Sequence, residues 1–165
     1  MTGTAVLDRL QSWLASATDD PALRAIAGRP VALGWATVEL ERAALDLGAA
    51  LDVPPERFVD ARPSTALGAR CRVARDVLPS GVALVLVEPF TEGRLAATLA
   101  RRDEGPAAVW LAVTSLAGAV KVLRVAGVAT TIARPGPLGA ELLVPDGPIH
   151  GPHRLVVELA GTIRA

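Results

Sequence analysis

The sequence predicts an α+β domain made of two copies of one unit, strand–helix–strand–strand–strand, whose strands curl into a cup. Three observations lead to this prediction. Val-rich segments of strand character alternate with segments whose apolar residues have helical spacing. A strand–helix segment that begins near residue 31 returns 76 positions later. Two strand segments that follow residue 67 return 71 positions later.

The repeat rests on identities between the two copies. Along the helix they are three or four positions apart, which is the spacing of one helix face. The identical pairs are Ala32 and Ala108, Ala36 and Ala112, Leu40 and Leu116, Ala43 and Ala119, Leu47 and Leu123, Ala50 and Ala126, Leu67-Gly68-Ala69 and Leu138-Gly139-Ala140, Val73 and Val144, and Leu84 and Leu155. The change of offset from 76 to 71 predicts a five-residue deletion in the turn region of the second copy.

The elements follow from spacing and from turn residues. Helical spacing predicts helices over residues 4–17, 40–51, 94–102 and 116–125. Strand composition predicts strands over residues 31–38, 68–77, 82–88, 107–113, 128–133, 139–144 and 154–159. We therefore expect a helical extension over residues 1–27. A single domain over residues 28–165 should follow, with modules at about 31–89 and 107–160.

Composition excludes several classes of function. The chain has 165 residues and equal numbers of basic and acidic side chains, 17 each, with no basic stripe between aromatic residues, so a nucleic-acid partner is not expected. It has no long apolar run, so no membrane partner is expected, and no signal peptide is predicted. Cys71 is the single cysteine, which fits a reducing cytoplasm. Arg, Ala, Gly and Pro are abundant, which indicates a bacterial source.

The segment Val82–Val113 resembles the middle of methylmalonyl-CoA epimerases, which are members of the vicinal-oxygen-chelate (glyoxalase/bleomycin-resistance-like) superfamily. In those enzymes a strand ends in Glu-Pro, matched by Glu88-Pro89, and a connector leads to a Gly-Glu-Gly turn, matched by Asp103-Glu104-Gly105. A later strand carries Glu between apolar residues, matched by Val157-Glu158-Leu159. The resemblance covers residues 31–160 and implies the cup fold, with cups often completed in a homodimer.

The resemblance also implies a divalent metal bound at four strand positions. In this sequence these positions fall at Ala32, Ala108, Glu158 and one of two valines, Val85 or Val87. Methyl and isopropyl groups have no lone pairs, and one carboxylate is too few for a divalent site. We therefore expect no metal and no cofactor. An alternative site would combine Glu158 with the two histidines.

Strand alternation predicts the lining of the cup. If Ala32 and Ala108 face inward, so do Gly34 and Trp110 on the same strands. On the last strand, Arg154, Val156 and Glu158 should then face inward too. Trp110 would provide an aromatic platform, and Glu158 with Arg154 a catalytic pair. The candidate ligand-binding residues are Trp110, Arg72, His150 and His153.

These expectations leave three functions open, and with them the question of whether the chain is an enzyme. The first is a metal-independent protein that binds a small apolar or aromatic ligand in the cup. The second is a metal-free isomerase, cyclase or lyase of bacterial specialised metabolism that uses Glu158 as acid or base. The third is a structural subunit whose cup is filled. An empty cup with Glu158 inside favours the first two, and a cup plugged by Trp110 favours the third.

Overall fold

The computed structural model describes residues 3–145, 147 and 149–159. Five α-helices span α1 Gly3–Thr18, α2 Pro21–Ala25, α3 Leu40–Leu51, α4 Arg94–Arg102 and α5 Leu116–Val125. Eight strands span β1 Arg29–Ala36, β2 Val59–Ser64, β3 Ala69–Ala74, β4 Ala83–Pro89, β5 Gly105–Ala112, β6 Arg134–Pro135, β7 Gly139–Val144 and β8 His153–Leu159. None of the helices within these described residues is long and apolar enough to cross a bilayer.

The strands form one mixed sheet in the order β2-β3-β4-β1-β5-β8-β7-β6. The first module contributes one half of the sheet and the second module the other, and β1 and β5 join them as antiparallel neighbours. The sheet curls so far that its two edges meet, where the Thr65 N–H donates to the Pro135 carbonyl at 3.4 Å. Each outermost strand carries a proline, Pro63 on β2 and Pro135 on β6. The predicted α+β cup of two modules is confirmed.

The pairing of strands gives the register of the duplication. Ala32 of β1 pairs with Ala83 of β4, and Ala108 of β5 pairs with His153 of β8. Equivalent residues are therefore 76 positions apart in the first strands, as predicted, but 70 positions apart in the last. The predicted offset of 71 is one residue too long. A shift of one residue moves every side chain of a strand to the opposite face of its sheet.

Two elements of the turn regions differ between the prediction and the structure. Strand β2 is not among the predicted strands, and its Pro63 fits there since an edge strand tolerates a missing donor. Residues 128–133 were predicted to be a strand, but the strand beside β7 is Arg134–Pro135, and from residues 128–133 Thr131 donates its N–H to the Leu143 carbonyl of β7 at 2.9 Å. Within that segment Ile132 is exposed, while Val128 packs against the core under α5.

Helices cover the outer face of the sheet, and hydrocarbon side chains fill the inner face. On the outside, α1 and α3 pack on the first module, where Leu10 and Leu47 join Leu33 of β1. Helix α5 packs similarly on the second module. On the inside, the apolar residues of seven elements form one buried cluster, to which α4 contributes Leu95 and Leu99. The connector helix thus closes the cup.

The helical extension is fastened to the last strand by an ion pair. Asp20 caps α2 by accepting hydrogen bonds from the Ala22 and Leu23 N–H groups. Its second carboxylate oxygen lies 2.6 Å from Arg154 Nη1 of β8. The division into an extension and a domain stays a prediction, since no independent observation tests the boundary.

Candidate functional site: the interior of the cup

The centre of the cup is occupied by the indole of Trp110. This side chain is fully buried, as are its neighbours Ala108, Val85 and Leu155. Gly34 on the adjacent strand makes the room for it, because a Cβ at that position would lie 2.9 Å from both the indole Cζ3 and the Ala108 Cβ. Trp110 therefore lies inside the cup as predicted, but it is packed as core and presents no open ring face.

A buried carboxyl group shares the cup with Trp110. Glu141 of β7 is completely buried and its Oε2 accepts a hydrogen bond from Trp110 Nε1–H at 2.7 Å. Its Oε1 accepts a short hydrogen bond from the Ser64 hydroxyl, which in turn accepts from the Leu67 N–H at 3.2 Å. Gly136 packs against the carboxyl group so closely that any side chain there would overlap it. Three segments thus hold the acid in one orientation.

Burial favours the neutral forms of the ionisable groups in this region. Burial raises the pKa of Glu141, although hydrogen bonds from Ser64 and Trp110 act in the opposite direction. Burial also raises the pKa of the nearby Cys71 thiol to about 12, and the Glu141 charge adds to that effect. Cys71 is therefore a packed thiol of low reactivity. Glu141 is thus a buried carboxyl group in the cup whose pKa is shifted by its surroundings.

His153 lies inside the cup beside α4. Its Nε2 is 2.8 Å from Thr98 Oγ1. Because the Thr98 hydroxyl donates its proton to the Arg94 carbonyl at 2.8 Å, we assign the proton of the imidazole to Nε2. Burial lowers the pKa of His153 to about 4, and the positive charge of Arg94 contributes to the same shift. The neutral His153 donates its Nε2–H to Thr98 and so stabilises the packing of α4 against the sheet.

The predicted placement of Glu158 in the cup is wrong. Because the offset is 70, the inner residues of β8 are His153, Leu155 and Val157, and Glu158 points outward and is exposed. Its Oε2 accepts a hydrogen bond from the Leu116 N–H, the first residue of α5, at 3.1 Å. Its role as an acid or base stays a prediction, but the position that motivated that role belongs to the outer face.

The other predicted site residues are dispersed. The predicted placement of Arg154 and Val156 in the cup is also wrong, since both lie on the outer face of β8, where Arg154 pairs with Asp20. Arg72 lies outside as well, with its guanidinium on Asp60 at 2.8 Å and on Glu41 at 3.1 Å. His150 lies in the loop before β8. Of the predicted catalytic and ligand-binding residues, Trp110 and His153 point into the cup.

The residues at the expected metal positions do not fit a metal. Ala32 and Ala108 occupy symmetry-related places on β1 and β5, as predicted, and neither carries a donor atom. The inner face of β4 presents Ala83, Val85 and Val87. Within the described part of the chain, no three His, Cys, Asp or Glu side chains come together as a metal site. Glu158 cannot join His153, because the two side chains leave opposite faces of β8.

Several solved methylmalonyl-CoA epimerases share this architecture. The Mycobacterium tuberculosis enzyme superposes with a TM-score of 0.67 at 22% identity, over 82% of this chain and 90% of that chain. A Streptomyces coelicolor epimerase variant in complex with 2-nitronate-propionyl-CoA gives 0.65 at 20% identity, over 81% and 98%. The chain has the vicinal-oxygen-chelate fold. A hypothetical protein from Bacillus halodurans shares the fold at 14% identity, over 80% and 94%, with a TM-score of 0.62.

Sequence comparison adds nothing to this likeness of fold. No protein-family model matches the sequence, and no curated protein sequence matches it. Identities near 20% to the epimerases establish the vicinal-oxygen-chelate architecture and leave the function to be argued from the site itself.

The turn Asp103-Glu104-Gly105, which resembles the Gly-Glu-Gly turn of the epimerases, has a structural role in this chain. Glu104 accepts hydrogen bonds from Thr37 Oγ1 and the Val38 N–H and pairs with Arg42 of α3. Burial alone would raise the pKa of Glu104, but these bonds outweigh it and lower the pKa. Glu88, from the Glu-Pro motif, accepts from the Leu40 N–H at 3.0 Å. Both motif residues fix the start of α3.

Proposed function

We propose that this chain is a non-catalytic, metal-independent protein of the vicinal-oxygen-chelate fold, in which the cup serves as a hydrophobic core and binding takes place on the surface. The packing of Trp110 is the observation that supports this proposal. Its indole lies against Gly34 of β1 within the buried apolar cluster of the cup, and its N–H donates to Glu141 of β7. Of the three functions considered from the sequence, the structural subunit with a filled cup agrees best with the packing of Trp110.

A ligand inside the cup, the first expectation from the sequence, would have to displace this packing. Entry would expose Leu95 and Leu99 of α4 and break the bond between Trp110 and Glu141. The free-energy cost of removing such buried groups is several kcal/mol, of order 3–5 for a tryptophan. A coenzyme A thioester, as bound by the Streptomyces coelicolor epimerase, is therefore not proposed as a ligand of this cup. A homodimer and a cytoplasmic location remain part of the proposal, to be measured by light scattering and by cell fractionation.

The state of Trp110 can be measured directly by fluorescence. In a variant with Trp13→Phe and Trp35→Phe, Trp110 is the single tryptophan. We expect blue-shifted emission, little quenching by acrylamide, and no change when aromatic ligands or methylmalonyl-CoA are added. Red-shifted, quenchable emission that responds to ligand would contradict a packed cup. Circular dichroism of the double variant controls for folding.

Catalysis can be tested separately by isotope exchange. Methylmalonyl-CoA incubated with the protein in deuterium oxide, with and without added Co²⁺, should show no incorporation at the α-carbon above the uncatalysed rate. Incorporation at an enzymatic rate that depends on Co²⁺ would overturn both the non-catalytic and the metal-independent parts of the proposal.

A second candidate function is a metal-free acid–base enzyme, and the buried carboxyl group of Glu141 supports it. A carboxyl group with a raised pKa, next to the Ser64 hydroxyl, is the kind of group that transfers protons. The loop of residues 134–139 would have to open for a substrate to reach it. Any exchange activity that Glu141→Gln abolishes and Glu158→Gln retains would favour this function. The reverse result would restore Glu158 as the acid or base.

A further inference from the structure

Three arginines line one surface cleft at the meeting point of the two sheet edges. The cleft has a volume of about 510 Å³. Arg62 comes from β2, Arg75 follows β3, and Arg134 begins β6, so both modules contribute. The remaining lining is the loop of residues 135–140 with Ala133, and no carboxylate contributes to it. A volume of this size is typical of small-molecule sites.

The three arginines of the cleft have no acidic partner, unlike five other arginines of the chain. Arg24, Arg42, Arg70, Arg72 and Arg154 each lie within 4.0 Å of a carboxylate oxygen. Among the described residues, no carboxylate comes within that distance of the three guanidinium groups of the cleft. The chain as a whole is electrically neutral. The cleft therefore gathers three guanidinium groups that no carboxylate neutralises around one concavity, and such a cleft attracts anions.

The backbone around the cleft is fixed before any ligand arrives. Arg57 Nη2 donates to the carbonyl oxygen of Arg75 at 2.8 Å. The Gly136 N–H donates to the Gly139 carbonyl at 3.0 Å, which closes the loop, and Gly136 itself rests on the buried Glu141 carboxyl group. A site whose backbone is held in this way loses less conformational entropy on binding.

The surroundings of the cleft favour a small anion over a polymer. A second groove of about 370 Å³ adjoins it, shares Arg75 and Pro137 with it, and is lined by Glu56 and Asp60 beside Arg57. The Asp60 carboxylate is already engaged by Arg72. An extended polyanion such as a nucleic acid would run from the arginines onto these acidic side chains, whereas a compact anion would contact the arginines alone.

We propose that this cleft binds a small phosphorylated molecule through Arg62, Arg75 and Arg134. Guanidinium groups match phosphate oxygens with pairs of parallel hydrogen bonds. Three of them around one concavity suit a group that carries two or more negative charges, such as a diphosphate. The inference goes beyond the proposed function, because it concerns the surface and holds whether or not the cup is filled.

Isothermal titration calorimetry of the full chain with inorganic pyrophosphate tests the proposal. We expect one site per chain, with affinity that falls as salt is raised. Arg75→Gln should weaken binding about tenfold, the equivalent of losing one charge-assisted contact. Arg62→Gln and Arg134→Gln should behave similarly. The matched control is Arg124→Gln, which removes the same charge from the exposed end of α5 and should leave binding unchanged.

Three results would overturn the proposal. They are the absence of pyrophosphate binding at low salt, an equal loss of affinity in Arg124→Gln, and equally tight binding of citrate or of single-stranded DNA. Circular dichroism of each variant establishes that it is folded. The fluorescence of Trp110 reports on the cup in the same samples, so failure of the anion site and failure of the filled cup are distinguishable.

Discussion

The two modules of the sheet agree on their outer faces and differ on their inner faces. Outside, Glu88 caps α3 and its counterpart Glu158 caps α5. Inside, the first module places Gly34, Ala83 and Cys71 where the second places Trp110, His153 and Glu141. One module supplies space and the other supplies bulk and polar groups. The duplication thus preserves the attachment of the helices, while the filling of the cup comes from one side.

Replacing Trp110 tests this asymmetry with the largest expected effect. Trp110→Ala should lower the free energy of unfolding by about 3–5 kcal/mol, because it leaves a cavity and removes a hydrogen-bond donor from buried Glu141. Denaturant unfolding followed by circular dichroism measures the change. Trp110→Phe, which keeps most of the volume, should cost less. A stability loss below about 1 kcal/mol in the alanine variant would mean that the indole is not core.

His153 and its small counterpart Ala83 make a second comparison. Burial lowers the pKa of His153 in the folded state from 6.5 to about 4. As the pH falls, His153 therefore takes up the proton at a higher pH in the unfolded chain than in the folded chain. Its contribution of about 3 kcal/mol should be fully present above pH 6.5 and lost as the pH falls toward 4. The chain has two histidines, so NMR titration resolves them, with His150→Gln as the control for assignment. Titration of His153 near 6.5 would contradict its burial.

Gly34 and Trp110 are equivalent residues that face each other, so the smaller one can also be changed. Gly34→Ala adds a methyl group 2.9 Å from the indole and from Ala108, which should cost about 1–3 kcal/mol of stability. Gly105→Ala is the matched control, because it lies on β5 with no neighbouring atom within 4 Å. Equal stability of the two variants would show that the cup has room to spare.

Glu141 should make stability depend on pH in the direction opposite to His153. Since burial raises its folded pKa above 4.5, the folded state holds the proton more tightly than the unfolded state. Its contribution is present below about pH 4.5 and is lost as the pH rises through the raised folded value. Glu141→Gln should remove this dependence and be more stable than the wild type at pH 8. Glu92→Gln, at an exposed position, is the control. If Glu141→Gln were less stable than the wild type at pH 8, the assignment of a raised pKa to Glu141 would be contradicted.

The smallest effects are expected where the modules agree. Glu88→Gln and Glu158→Gln each weaken a bond to the first N–H of a helix, and each should cost about 1 kcal/mol. Thermal unfolding measures both. A much larger cost for Glu158 would restore a special role for this residue. A larger cost for Glu88 would point to its additional pairing with Arg70.

Sequence spacing predicted the fold because the helices carry long, regular signals. The bounds of α3, α4 and α5 agree with the predicted ranges of residues 40–51, 94–102 and 116–125. Leucines and alanines three and four positions apart specify those helices without knowledge of any partner. Strand β2 was missed since its Pro63 is typical of turns. This proline is tolerated because β2 lies at the edge, which is a property of the whole sheet.

The candidate site could not be read in the same way. Strand β8 is apolar on both faces over Leu155-Val156-Val157, so alternation carries no information about which face is inward. The offset of 71 then came from chance identities between common residues. An error of one residue exchanges the inward and outward faces of the strand. Glu141 and Ser64, 77 positions apart, become partners when the sheet closes. No local pattern in the sequence marks Glu141 as buried.

The prolines on the two outermost strands have a consequence for assembly. Pro63 and Pro135 lack the N–H group that an incoming chain would need in order to extend the sheet by another strand. The same two edges are already occupied with each other, through Thr65 and Pro135. Association by β-addition, the route by which open sheets aggregate or exchange strands, is thereby disfavoured. A second copy or another protein would have to dock on the helices or on the loops.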